Sequence, residues 1–330
     1  MSVSRRTFLR RLLLGAGSAA AAYFLGKEFL LPPWREAVCI ARAGSYQDDL
    51  AAIIASGLET LGVGAGEIAG KRVLLKPNLV EPTLGFPHIN THPLVVRGAA
   101  EAFMKLGASQ VMVAEGPGHI HDTLLVLEES GLREVLREDR LPFLDLNYET
   151  IVNRKNAGGF APLKTLALPA ILQGVDWIVS LAKLKTHHWA GVTLSLKNLF
   201  GLMPGSYYGW PKNVLHHAGI PQCILDIAAT VRPHFAIVDG IIGMEGDGPI
   251  MGTPKQAGVL VLGRNLTAVD ATCTRIMGID PYRIPYLAKA DGFLGPLAAA
   301  HISQRGEPIA AVQTDFQLLE KIPVHRGLRG

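Results

Sequence analysis

Lys183-Leu184-Lys185-Thr186-His187-His188 sets two ammonium and two imidazole groups directly behind the apolar run 177–181. Three other apolar runs end in the same way. Lys76-Pro77-Asn78 follows 73–75, and Glu115-Gly116-Pro117-Gly118-His119-Ile120-His121-Asp122 follows 111–114. Asp239 follows 235–238, ahead of a loop holding Glu245, Gly246, Asp247 and Gly248. Lys197 and Asn198 sit among Leu194, Leu196, Leu199 and Phe200, a segment too apolar for a freely hydrated face. Lysines are costly to bury unless paired. Ammonium groups gathered this way therefore need an opposite charge, either a bound carboxylate or phosphate or the chain's own carboxylates. Lys76, Asn78, Lys183, Asn198, Gly246 and Gly248 are the expected ligand-binding set. Lys185, His187 and Lys197 are the expected catalytic set, with His187 as acid/base and a desolvated lysine as an alternative base. Glu115, His119, His121, Asp239, Glu245 and Asp270 are the candidates to hold a divalent metal or to position the lysines.

These groups need a scaffold that brings strand ends together. Short apolar strands are expected at 37–41, 72–75, 110–114, 143–146, 175–181, 235–238 and 259–262, with an edge strand at 163–168 and a last strand at 309–312. Helical spacing marks 48–61, 94–106, 123–138 (broken near Gly131), 194–202, 221–231, 268–277 and 285–289. This alternation predicts an α/β fold, a mainly parallel sheet with helices on both faces. Gly158-Gly159 and nearby charges interrupt the pattern at 153–162, so two α/β lobes sharing a cleft are an alternative to one domain over 34–330. In open α/β sheets, ligands bind beyond the carboxyl ends of the strands, where the charged residues above fall.

At 330 residues, 48% hydrophobic and 18% charged, the chain is too apolar for disorder and long enough for a large core. Of 32 basic and 28 acidic residues, five and one lie within residues 1–33, so the rest balances at 27 each. The net charge of +4 thus belongs to the leader, and no basic footprint for nucleic acid remains. The leader carries Ser4-Arg5-Arg6-Thr7-Phe8-Leu9-Arg10 ahead of 15 uncharged residues, 12–26. That pattern resembles a twin-arginine signal, and the run is short of the ~20 residues that span a bilayer comfortably. Export by the twin-arginine translocation machinery is expected, to the periplasm or the outer face of the cytoplasmic membrane. The leader segment would be either cleaved or kept as a membrane anchor. Three cysteines, Cys39, Cys223 and Cys273, lie far apart with no Cys-x-x-Cys, which gives no motif for an iron–sulfur cluster.

Lys76-Pro77-Asn78, the run from Lys185-Thr186-His187 to Gly191-Val-Thr-Leu-Ser-Leu-Lys-Asn-Leu-Phe-Gly201, and Gly243-Met-Glu-Gly-Asp-Gly-Pro-Ile-Met-Gly252 together resemble the domain of unknown function 362 family. The resemblance spans roughly residues 35–300, and Asp270 fits the family's later aspartate. Some relatives are joined to ferredoxin-type cysteine motifs, which this chain lacks. A fainter likeness, by analogy alone, is to the lactate racemase type of α/β enzyme, which handles a small hydroxy acid with a metal-containing cofactor. The expectation is an exported enzyme acting on a small anionic substrate in a lysine-rich cleft. The alternative is a non-catalytic ligand-binding, metal-binding or redox-partner protein of the cell envelope.

Overall fold

The computed structural model describes residues 35–118 and 122–329. The twin-arginine pattern and the metal candidates His119 and His121 lie outside the described residues. Eleven strands are present among the described residues: β1 Glu36–Arg42, β2 Arg72–Pro77, β3 Gln110–Glu115, β4 Phe143–Asp145, β5 Ile151–Lys155, β6 Thr165–Pro169, β7 Trp177–His187, β8 Gly191–Thr193, β9 Phe235–Glu245, β10 Thr253–Gly263 and β11 Ile302–Gly306. The main sheet runs β11-β1-β10-β9-β7-β2-β3-β4, with β8 folded back on β7. Along that path only β10 runs against the rest, because its pairs with β1 and β9 are both antiparallel. The fold is α/β, as the alternation of apolar runs predicts.

Strand periodicity explains why helices cover both faces. Leu74, Ile178, Ala182, Val238 and Val261 point into one core, packed with helices Ile220–Val231 and Leu266–Ile276. Their neighbours Val73, Leu75, Val179, Ile237 and Leu262 point into the other, packed with helices Leu50–Thr60 and Pro93–Lys105. Such strands read as continuous apolar runs because both faces are buried. Local signals set the helix ends. Asp49 and Asn265 accept hydrogen bonds from Ala52 N and Ala268 N at helix starts. Gly131, in the left-handed region, divides 123–138 into Thr123–Glu129 and Leu132–Glu138.

Several expected elements differ. The edge strand at 163–168 is β6, but it pairs with β5 in a separate two-stranded sheet instead of extending the main one. Residues Ile309–Val312 form a single helical turn, and the last strand is β11, which pairs in parallel with β1. Strands β7, β9 and β10 each extend to 11 residues, well past the apolar runs that announce them. Residues 36–330 cluster as one compact unit, and none of the described helices is long and apolar enough to cross a membrane.

Chain order fixes where the strand ends face one another. From β2 the chain steps outward through β3 to β4, then returns to the other side of β2 as β7 and continues to β9. The order therefore reverses between β2 and β7. A crevice opens at such a switch, beyond the carboxyl ends of the two strands.

Candidate functional site

A cleft of about 360 Å³ lies at this switch. Among the described residues four lysines line it, Lys76, Lys185, Lys197 and Lys212, with Glu115 as the one lining carboxylate. His187, His188 and His216 line it too, with Asn78, Thr193 and Asn198.

Lys76 ends β2, is buried, and forms an ion pair with Glu115 at the end of β3. Its Nζ also donates to Pro77 O at 2.7 Å and to Asn198 Oδ1 at 3.0 Å. Glu115 accepts from Gly116 N at 2.9 Å and Leu79 N at 3.4 Å. Burial pushes Lys76 down and Glu115 up, and their contact opposes both shifts. Asn198 closes the group by donating to Lys76 O (3.1 Å) and Ser180 Oγ (3.0 Å). Gly201 packs directly on the pair. A Cβ there would stand 1.8 Å from Glu115 Oε1, so only glycine fits.

Lys185 differs from Lys76 in having no carboxylate partner. Its fully buried Nζ donates to Ile89 O at 2.7 Å and Pro249 O at 3.1 Å. It thereby ties together the two loops that flank the cleft. Burial first, then the charges of Lys183, Lys197 and Lys76, hold it well below the usual lysine range. Lys197 lies on the face of Phe200, 4.0 Å from the ring centre, and burial lowers it to about 8. Lys212 donates to Asn147 Oδ1 at 2.6 Å, and burial lowers it to about 7.

His187 Nδ1 accepts from Trp189 N at 3.0 Å and Ala190 N at 3.3 Å. A ring nitrogen that accepts carries no proton, so the neutral imidazole holds its hydrogen on Nε2. Burial, followed by Lys197, keeps it neutral well below its ordinary value. His187 is thus set to donate through Nε2.

Positioning comes from Asp270, and from Gly246 and Gly248, which were expected to bind ligand. Asp270 accepts from Ser195 N (2.8 Å), Ser195 Oγ (2.5 Å) and Leu196 N (3.1 Å). It anchors the first turn of helix Ser195–Asn198, which carries Lys197 and Asn198. Burial raises it to about 7 despite those donors. Gly246 O accepts from Thr186 Oγ1 at 2.8 Å, and Gly248 O accepts from His188 N at 2.8 Å. A Cβ on Gly248 would meet Thr186 O at 2.0 Å, so glycine lets this loop lie against β7 and present Pro249 O to Lys185. Gly246 and Gly248 therefore seat the loop from outside the lined cleft.

Lys183 stands apart from its expected place in the cleft. Its Nζ donates to Asp239 Oδ2 at 2.7 Å and Tyr46 Oη at 2.9 Å, fully buried. Asp239 also accepts from Tyr46 Oη, His92 N and Ile241 N. The physical reason is a break in the β7–β9 register. Lys183 pairs with Asp239, but Lys185 pairs with Met244, so the strands diverge between the two lysines. Glu245 lies elsewhere again, accepting from Gln317 N at 2.8 Å with Lys255 at 3.4 Å. Glu115, Asp239, Glu245 and Asp270 thus serve four separate partner sets. Among the described residues no three His, Cys, Asp or Glu side chains group as a metal site.

Lys212, Thr193 and Trp189 complete the cleft without having been expected there, together with His216. Lys212 takes a left-handed backbone (φ 69°) in a loop beyond any apolar run, so strand-end reasoning could not reach it. Trp189 and Thr193 lie inside the singled-out motif, as bulk and as β8.

Fold and cleft define an α/β protein with a cationic pocket at the switch of a mainly parallel sheet. The family model "Domain of unknown function (DUF362)" matches residues 73–275, and the chain belongs to that family. A thylakoid-associated protein of Synechocystis sp. (strain ATCC 27184 / PCC 6803 / Kazusa) is 29% identical over 303 residues, covering 89% of this chain and 91% of that protein. Among solved structures, the lactate racemase apoprotein from Thermoanaerobacterium thermosaccharolyticum superposes with TM-score 0.43 at 14% identity, covering 75% of this chain and 58% of that one. A Thermotoga maritima protein gives TM-score 0.39 at 14% identity, covering 68% and 58%. This chain therefore spans less than two thirds of either solved structure.

Proposed function

We propose that the protein is an exported enzyme that binds a small carboxylate or phosphate in the cleft and acts on it by proton transfer. One observation carries this: among the described residues four lysines line one cleft beside a single lining carboxylate, and Lys185 is buried with no acidic partner. A bound anion supplies the missing charge and holds Lys197 and Lys212 protonated. Lys197 and Lys212 bind it. Lys185, held well below the usual lysine range by burial, is suited to accept a proton. His187 donates a hydrogen bond from Nε2 to an oxygen that gains charge.

The twin-arginine pattern in the leader supports export by the translocation machinery to the periplasm or outer membrane face. The thylakoid association named for the Synechocystis relative supports a location beside a membrane. A divalent metal, if used, would have to enter with the ligand or involve His119 and His121. Native mass spectrometry of the protein recovered from its own host tests the central reading. A stoichiometric small carboxylate or phosphate is expected. A protein recovered empty, and not stabilised by any such anion, would contradict it.

A further inference from the structure

The cleft has an aromatic wall as well as a cationic one. Trp189, on its lining, remains 56% exposed. It meets His188 and His216 edge to face, at 4.7 and 5.4 Å between ring centres, and no ring among the described residues stacks parallel on it. Phe200 lies beside His216 and carries Lys197 on its face. Two buried polar atoms on the lining have no partner among the described residues: Asn78 Oδ1 (residue 8% exposed) and Thr193 Oγ1 (4%). A buried acceptor left unpaired is costly and marks where a ligand's donor belongs.

These three features ask for different parts of one molecule. Simple oxyanions answer the lysines but leave the tryptophan bare and give Asn78 Oδ1 no hydrogen. We propose that the anion is ring-bearing: a planar aryl carboxylate carrying a hydroxyl or amino donor. Its ring lies on Trp189, its carboxylate meets Lys197 and Lys212, and its donor reaches Asn78 Oδ1 or Thr193 Oγ1. The cleft of about 360 Å³ holds a single substituted ring. The proposal rests on the anion-site reading and adds the class of ligand.

Isothermal titration of the purified full chain at mildly acidic pH tests it, with acetate, cyclohexanecarboxylate, benzoate and 4-hydroxybenzoate as probes. Benzoate is expected to bind roughly tenfold tighter than acetate, and tighter than cyclohexanecarboxylate, because stacking adds to burial. The hydroxyl of 4-hydroxybenzoate should add a further few-fold, lost in Asn78→Leu combined with Thr193→Val. Trp189→Ala, at a half-exposed position that leaves the fold intact, should remove the benzoate advantage while shifting acetate by no more than about twofold. Equal affinity for acetate and benzoate, a cyclohexyl ring binding as well as benzoate, or a benzoate preference that survives Trp189→Ala would overturn the ring and leave the anion site standing. Failure of every probe, and of sulfate, would remove both.

Discussion

Gly201→Ala should be among the most damaging single-methyl additions in this protein. The new Cβ would lie 1.8 Å from Glu115 Oε1 and 2.6 Å from Lys76 Nζ. Gly201 is not in the left-handed region, so the effect is steric and not conformational. Neither neighbour can yield cheaply. Glu115 is held by Gly116 N and Leu79 N, Lys76 by Pro77 O and Asn198 Oδ1, and both are 1% exposed. Relief requires parting a buried ion pair, which costs about 3–5 kcal/mol. For a chain of this size that lowers Tm by on the order of 10 °C. Gly118→Ala is the control, in the same cleft but with its nearest atom 3.9 Å away, and should change stability by less than about 0.5 kcal/mol. Urea unfolding measures both. If Gly201→Ala matches Gly118→Ala, the Lys76–Glu115 pair does not pack against Gly201.

The anion site should weaken with rising pH. Lys212 and Lys197 lose their protons near about 7 and about 8, lowered by burial, and only their charged forms attract an anion. Sulfate, which does not titrate in this range, should bind progressively more weakly from pH 6 to pH 9 by calorimetry; a flat profile would show that these lysines are not its partners. Lys183→Met should leave Asp239 buried without its cation and cost about 3–5 kcal/mol in urea unfolding. A loss of less than about 1 kcal/mol would mean that Tyr46, His92 N and Ile241 N satisfy Asp239 unaided. Asp270→Ala frees the Ser195 and Leu196 amides, so it should lower sulfate affinity through Lys197. Unaltered affinity would mean that the turn holds without its acceptor.

The strands of the central sheet were legible because burial on both faces makes 73–75, 111–114, 177–181 and 235–238 uninterrupted apolar runs. Their true ends were not. Lys183, Lys185 and Asp239 look like strands meeting water, yet each is satisfied inside by a partner distant in sequence. Lys76 and Lys185 were found by strand-end logic and Lys197 by its apolar helical surroundings, whereas the displacement of Lys183 depends on a register break that no local pattern records. The carboxylates were recognisable as important but not in role. Glu115 and Asp270 read equally as metal ligands or as lysine partners until the fold assigns one an ion pair and the other a helical turn. The last strand was misplaced because an edge strand such as Ile302–Gly306 has little apolar content and exists through pairing with β1.

The proposed function requires that the cleft lysines hold an anion. Calorimetric titration of the full chain with sulfate at pH 6 addresses this most directly, alongside Lys197→Met, whose half-buried position spares the fold. One sulfate per chain, with affinity lost in the variant, is the expected result. No heat of binding, or identical binding by the variant, would contradict it.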